Sequence, residues 1–165
     1  MPPFRTVPIS AALVAEARAT RRAPRYGHPV HAEIATGDGP CRLCLHTFRQ
    51  GDERRLLFTF DPFDGLDPYP APGPVFVHED ECVPFDAPSG FPDSLRPLPL
   101  TLEAYDGERL IVGRERVSDG MVEPAASRLW ADGRTKYMLV RNTEAGCYIA
   151  RLERIGSPGV PAMPE

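Results

Sequence analysis

Proline is the feature that most limits what this chain can fold into. The 165 residues include 20 prolines and 14 glycines, and the prolines recur along the whole chain. Because proline interrupts helix interiors and central strands, long regular elements cannot pass through these positions. The chain is therefore expected to form short elements joined by extended loops. Its hydrophobic fraction of 42% is nevertheless that of a globular protein with a packed core.

Short periodic segments predict the fold class. Ser10 is a typical N-cap for an Ala-rich helix that continues to about Thr20, and Pro124 suits the first turn of a second helix that Gly133 ends. The predicted strands are 4–9, 30–35, 54–60, 75–78, 100–105, 110–117, 137–141 and 147–154. Because strands follow one another along the chain, the sequence predicts an α+β fold. We expect a mostly antiparallel sheet of about seven or eight short strands with two modest helices.

Length and charge restrict the classes of protein to which the chain could belong. A chain of this size predicts one core, and we expect a single globular domain over 1–155 with a loose tail over 156–165. The sequence contains neither an apolar segment of about 20 residues nor a secretory signal pattern, so a cytoplasmic protein without a membrane partner is expected. The net charge of −4 argues against a surface that binds nucleic acid.

Two short motifs contain the residue types that bind metals. Cys41 and Cys44 form C-x-x-C directly after a turn, and His78 and Cys82 form H-x-x-x-C. Two thiolates from the first motif, with the imidazole and thiolate of the second, would complete a tetrahedral zinc site. Two predicted strands and a proline-rich loop separate the motifs, so they meet only if those strands are neighbours. The cofactor stays open, with zinc as the candidate.

Two other interpretations of the cysteines compete with zinc. Free cysteine is among the most buried residue types, so Cys44 and Cys82 could be small apolar side chains of the core, which the sequence alone slightly favours. The C-x-x-C could also be a redox pair. Its flanking residues, GDGP and LHTF, lack the strand and helix that lower a thiol pKa in such pairs.

A cysteine-dependent enzyme is a further alternative. Cys41 or Cys147 could be the nucleophile and His78 its base, with a carboxylate such as Glu79 or Asp80 orienting the histidine. The sequence contains no nucleophile elbow or protease signature beside these residues. The arginines in the last turn of the first helix have a simpler explanation, because cations are favoured at helix C-termini and on solvated faces.

Several short segments, taken in order, match a known family. They are 39–42, 56–57, 68–69, 73–78 with Cys82, 104–106, 140–142 and 146–148. In these segments the chain resembles an uncharacterised, mainly bacterial family, domain of unknown function 1203. The resemblance covers nearly the whole chain and implies no established activity.

The resemblance singles out polar residues that a fold alone does not require. These predicted ligand-binding residues are Cys41, Arg42, Tyr69, His78, Arg141 and Asn142. Because an arginine fork binds small anions well, the first hypothesis is a small-molecule, anion-binding domain with a Cys/His/Arg pocket beneath loop 61–74. The alternatives are a small enzyme that uses Cys41 and His78, and a zinc-stapled domain whose function lies in a partner surface.

Overall fold

The chain folds into two compact units. The computed structural model describes residues 3–37, 39–64, 66 and 72–156. Residues 8–85 form the N-terminal unit, and residues 3–7 together with 86–156 form the C-terminal unit. The single domain expected over 1–155 stays a prediction. Apart from Gly156, the predicted tail lies outside the described residues.

The elements are short, as the prolines require. In chain order they are β1 (Phe4–Val7), α1 (Ala11–Thr20), β2 (His31–Ile34), β3 (Arg54–Phe60), β4 (Gly73–His78), β5 (Leu100–Tyr105), β6 (Ile111–Val117), α2 (Val122–Trp130), β7 (Tyr137–Asn142) and β8 (Tyr148–Arg154). The predicted α+β class is confirmed, and the predicted bounds agree within about three residues. The strands form two antiparallel sheets instead of one. Within the described residues, neither helix has the length and apolar character to cross a membrane.

The C-terminal unit is built on a sheet with the order β1-β8-β7-β5-β6, in which neighbouring strands are antiparallel. The predicted hairpin of β5 and β6 is confirmed, and the Asp106 carboxylate accepts the N–H of Glu108 at 2.8 Å to hold its turn. Helix α2 lies against both strands. Strand β5 is buried on both faces, with Leu102 on one face, while Glu103 on the other pairs with Arg141.

The N-terminal unit contains a smaller sheet in the order β2-β3-β4. Strand β3 alternates as predicted: Leu56 and Phe58 are buried and pair with Val77 and Val75 of β4. This apolar alternation fixes the register, because a slip of one residue would expose all four side chains. The two strands that separate the metal-binding motifs are therefore neighbours.

Helix α1 belongs to the same unit and begins as predicted. The Ser10 hydroxyl accepts the N–H of Leu13 at 3.3 Å, which is the N-cap interaction expected from the sequence. Val14 and Ala17 are buried on one face of the helix. Because Arg18 follows directly, its side chain extends from the packed part of the helix toward the end of β4, where it contacts the carbonyl of His78.

Candidate metal centre

The C-x-x-C motif lies in a tight turn that an antiparallel bridge between Pro40 and Thr47 closes. Inside the turn, the N–H of Leu45 donates to the Cys41 carbonyl at 2.9 Å. Leu45 adopts the left-handed conformation, with φ of 63°, which costs a non-glycine residue about 1 to 2 kcal/mol. The burial of its side chain offsets this cost. The turn thereby brings the sulfurs of Cys41 and Cys44 to the same site.

The second motif comes from the end of β4. His78 is the last residue of that strand, where it pairs with Arg55 of β3, and Cys82 follows in the next loop. Arg18 fixes this segment, because its guanidinium donates to the carbonyls of His78 and Asp80 at 3.1 and 2.9 Å and to the Cys82 sulfur at 3.5 Å. Arg18, one of the arginines in the last turn of α1, is half-buried and braces two candidate ligands.

The two motifs meet in one cluster of four ligand atoms. The sulfurs of Cys41, Cys44 and Cys82 and a ring nitrogen of His78 all lie within 4.8 Å of one another. The sulfurs of Cys41 and Cys82 are 3.9 Å apart, and the Cys44 sulfur is 3.5 Å from Nδ1 of His78. A tetrahedral zinc site, with bonds of about 2.3 Å to sulfur and about 2.0 Å to nitrogen, has corners about 3.5 to 3.8 Å apart. The donor set fits such an ion in type, and the Cys44–His78 and Cys41–Cys82 distances are close to this spacing.

Hydrogen bonds favour the thiolate form of the deepest sulfur. Cys41 is fully buried, and its pKa is held far below the usual value by hydrogen bonds from the side chains of Cys44 and Cys82. The backbone N–H of His78 also donates to this sulfur, at 3.3 Å. The same contacts raise the pKa of Cys44, and side-chain hydrogen bonds with Cys41 and Cys82 raise the pKa of His78 to about 10. Cys41 is thus held as the thiolate that a divalent cation requires, whereas Cys44 and His78 would each release a proton when the ion binds.

The imidazole of His78 is fixed on its outer side. Its Nε2 lies 2.9 Å from Oε2 of Glu53, and the ring of Phe48 packs on it with the centroids 4.6 Å apart. The carboxylate beside this histidine is Glu53, whereas the sequence predicted Glu79 or Asp80 there.

Glu79 has a different partner. Its carboxylate accepts from the guanidinium of Arg54 at 3.3 Å, while the backbone carbonyl of Asp80 accepts from Arg18. Glu53 lies 25 residues before His78, and only the register of β3 and β4 brings them together. Glu53 could have been identified from the sequence only by predicting the register in which β3 pairs with β4.

An open cavity of about 760 Å³ borders the cluster on one side. Cys44, His78 and Cys82 are part of its wall, together with the side chains of Arg49 and Arg54. Cys41 is fully buried and is not among the described lining residues. A molecule in the cavity would therefore meet three of the four candidate ligands.

The other predicted ligand-binding residues have structural contacts of their own. Arg42 is buried and donates to the Pro40 carbonyl at 2.7 Å. Arg141 belongs to the C-terminal unit, where its Nε donates to the Glu103 carboxylate at 2.5 Å. Tyr69 lies outside the described residues.

Asn142, also in the C-terminal unit, holds a turn. Its side-chain oxygen accepts the N–H groups of Glu144 and Ala145 at 2.9 and 3.0 Å. This contact is typical of Asn in turns and needs no ligand. Cys147, the other candidate nucleophile, belongs to the same unit. A ligand site that combines Cys41, Arg42 and His78 with Arg141 and Asn142 stays a prediction.

Comparison with known proteins gives one match. The model of a protein family described as a protein of unknown function, DUF1203, matches residues 39–154. The matched range includes all four residues of the cluster and more than half of the chain. The family resemblance found in the sequence is thereby confirmed. No curated protein and no solved structure matches the chain.

Proposed function

The chain belongs to the DUF1203 family, whose function is unknown, and we propose that its N-terminal unit is a zinc-binding domain stapled by the ion. Cys41, Cys44, His78 and Cys82 would be the four ligands. The observation that carries the proposal is the convergence of four ligand atoms within 4.8 Å from two motifs that are distant in sequence.

The donor set favours zinc over other cations. Three sulfurs and one imidazole are the soft and intermediate ligands that zinc prefers, whereas magnesium and calcium take oxygen ligands. Four protein ligands also fill a tetrahedron, which is typical of structural zinc sites and unlike catalytic sites, where one position is open. The bound ion would therefore act mainly as a cross-link within the unit.

The cross-link would lie where three segments of the N-terminal unit meet. The ion would join the turn after Pro40 to the end of β4 and to the loop that contains Cys82. The described residues of 35–53 and 79–85, which contain the three cysteines, form no helix or strand, so the ion would fix segments that regular elements do not. Thiolate ligands persist in reducing compartments, which supports the proposal of a cytoplasmic protein.

Elemental analysis of untagged protein, purified without chelator, tests the proposal. We expect about one zinc per chain, lost in Cys41→Ser and in His78→Ala because each removes a ligand. Cys147→Ser is the matched control, since it removes the one cysteine outside the cluster and should keep the zinc. Protein without stoichiometric metal, or equal loss of zinc in the Cys147→Ser control, would contradict the proposal.

A second candidate function is the binding of a small anionic molecule in the cavity. Arg49 and Arg54 line its wall but pair with Asp52 and Glu79, so an anion would have to displace these carboxylates. Titration with inorganic phosphate, followed by NMR, should shift the amide signals of the cavity wall in the wild type and less so in Arg49→Ala. A cysteine-dependent enzyme that uses Cys41 and His78 has weaker support, because the Cys41 sulfur is fully buried.

A further inference from the structure

We propose that Glu53 is the positioning residue of the metal centre, and that it orients His78 so that Nδ1 binds the ion. The inference rests on the proposed zinc site and deepens it. It assigns a role to a carboxylate that neither motif contains.

The contacts of His78 distinguish its two ring nitrogens. Nδ1 lies 3.5 Å from the Cys44 sulfur and belongs to the ligand cluster, while Nε2 lies 2.9 Å from Oε2 of Glu53. An imidazole that binds the ion is neutral, with one N–H and one lone pair, so His78 loses one proton on binding and the partners of its two nitrogens decide which proton stays. An ionised carboxylate has no hydrogen to donate, so it can only accept a hydrogen bond. Glu53 therefore selects the tautomer with hydrogen on Nε2 and leaves the lone pair of Nδ1 for the ion.

Hydrogen bonds other than the one with His78 also hold Glu53 in place. Its Oε1 accepts the N–H of Arg49 at 2.8 Å, and its own N–H donates to the Arg49 carbonyl at 3.0 Å. The Glu53 carbonyl accepts the N–H of Ala35 at 2.8 Å, which ties the residue to the end of β2. With its backbone held by two hydrogen bonds and its carboxylate by a third, Glu53 can define the direction of the imidazole ring. The Phe48 ring restrains the same imidazole from its face.

Such a carboxylate strengthens metal binding in two ways. It prevents rotation of the imidazole, so less freedom is lost when the ion binds, and it makes Nδ1 a better electron donor. Loss of an outer partner of this kind typically weakens metal binding about 10- to 100-fold. The effect is local, because Glu53 contacts one of the four ligands and none of the described contacts join it to the sulfurs.

Zinc affinity in competition with a fluorescent chelator is the first test, performed on the full chain. Glu53→Ala is expected to bind zinc about 10- to 100-fold more weakly than the wild type. Glu53→Gln should lie between them, since the amide oxygen still accepts from Nε2 but has no charge. Glu79→Gln is the matched control. It removes the same charge one residue from His78, where the carboxylate pairs with Arg54, and should leave the affinity within about twofold.

Nitrogen NMR of the His78 ring in zinc-loaded protein is the second test, and a merely structural role would not affect it. The wild type should show a metal-bound Nδ1 and a protonated, hydrogen-bonded Nε2. In Glu53→Gln the Nε2 proton signal should move toward the position of a weaker hydrogen bond. If Glu53→Ala does not fold, this change in Glu53→Gln decides the question.

Two results would separate the inference from the proposal on which it rests. Wild-type affinity in both Glu53 variants, with an unchanged Nε2 signal, would overturn the role of Glu53 while the zinc site stands. A wild-type protein that binds no zinc would instead overturn the zinc site itself.

Discussion

Strand β5 of the C-terminal unit is buried along its whole length, whereas all four residues of β2 in the N-terminal unit are exposed or half-buried. The five-stranded sheet also has α2 packed on it, while the connection from β2 to β3 in the three-stranded sheet contains no helix or strand among its described residues. The C-terminal unit can therefore depend on apolar burial. The N-terminal unit, with fewer buried strands, has the candidate metal cluster in the place where its loops meet.

The largest expected effect is a selective loss of structure when zinc is removed with a chelator. Binding of structural zinc contributes about 10 to 16 kcal/mol in zinc-finger peptides, which is comparable with the whole stability of a typical domain. Amides of β3 and β4 should lose protection in hydrogen exchange measured by mass spectrometry. Amides of β5 and β7 should keep theirs. Equal loss of protection in both units would remove the distinction between them.

A core substitution in the C-terminal unit should lower stability and leave zinc binding unchanged. Leu102 is fully buried in β5, and Leu102→Ala is expected to lower the free energy of unfolding by about 2 to 5 kcal/mol. Zinc content should stay at its wild-type value, because the cluster lies in the other unit. Urea denaturation and elemental analysis measure the two quantities. Leu110→Ala is the control, since this side chain is 60% exposed and should change stability by less than about 0.5 kcal/mol.

Loss of Arg18 should weaken the metal centre moderately. Arg18→Gln removes the charged donor to Cys82 and to the carbonyls around it, and we expect zinc binding to weaken by about 1.5 kcal/mol, or roughly tenfold. Chelator competition measures this change. Arg22→Gln, which alters an exposed arginine just after the same helix, should bind zinc as the wild type does. Equal weakening in both variants would indicate a general effect of charge.

The smallest expected effect concerns Asn142. Asn142→Ala removes the acceptor that holds the turn between β7 and β8, at an expected cost of about 1 kcal/mol in the free energy of unfolding. Zinc binding should not change. A measured loss of small-molecule binding with unchanged stability would instead favour the ligand-binding role predicted from the family resemblance.

Local sequence signals were enough for most of the fold. Ser10 predicted the start of α1, and the alternation around Phe58 predicted β3, because capping and side-chain period are properties of neighbouring residues. The division into two sheets was not predicted. It depends on which strands pair, and pairing is decided by contacts between residues far apart in sequence.

The candidate site was likewise predicted in part: its ligand residues could be named from the sequence, but their convergence and their outer partners could not. The residue types and spacing of the two motifs identified Cys41, Cys44, His78 and Cys82, but not that they would meet. Their meeting required the pairing of β3 with β4. Glu53 and Arg18 were missed because nothing in their own sequence surroundings marks them as partners of a ligand.

The pairing of β3 with β4 also sets an order of events during synthesis. Cys44 leaves the ribosome 34 residues before His78, and the hairpin that unites them cannot form until β4 has emerged. An ion that arrived early would find only the two sulfurs of the first turn. Secure capture would begin once His78 has closed the hairpin, and Cys82 would complete it. The nascent N-terminal unit would thus bind its metal after the hairpin has formed, and the ion would then stabilise the folded unit.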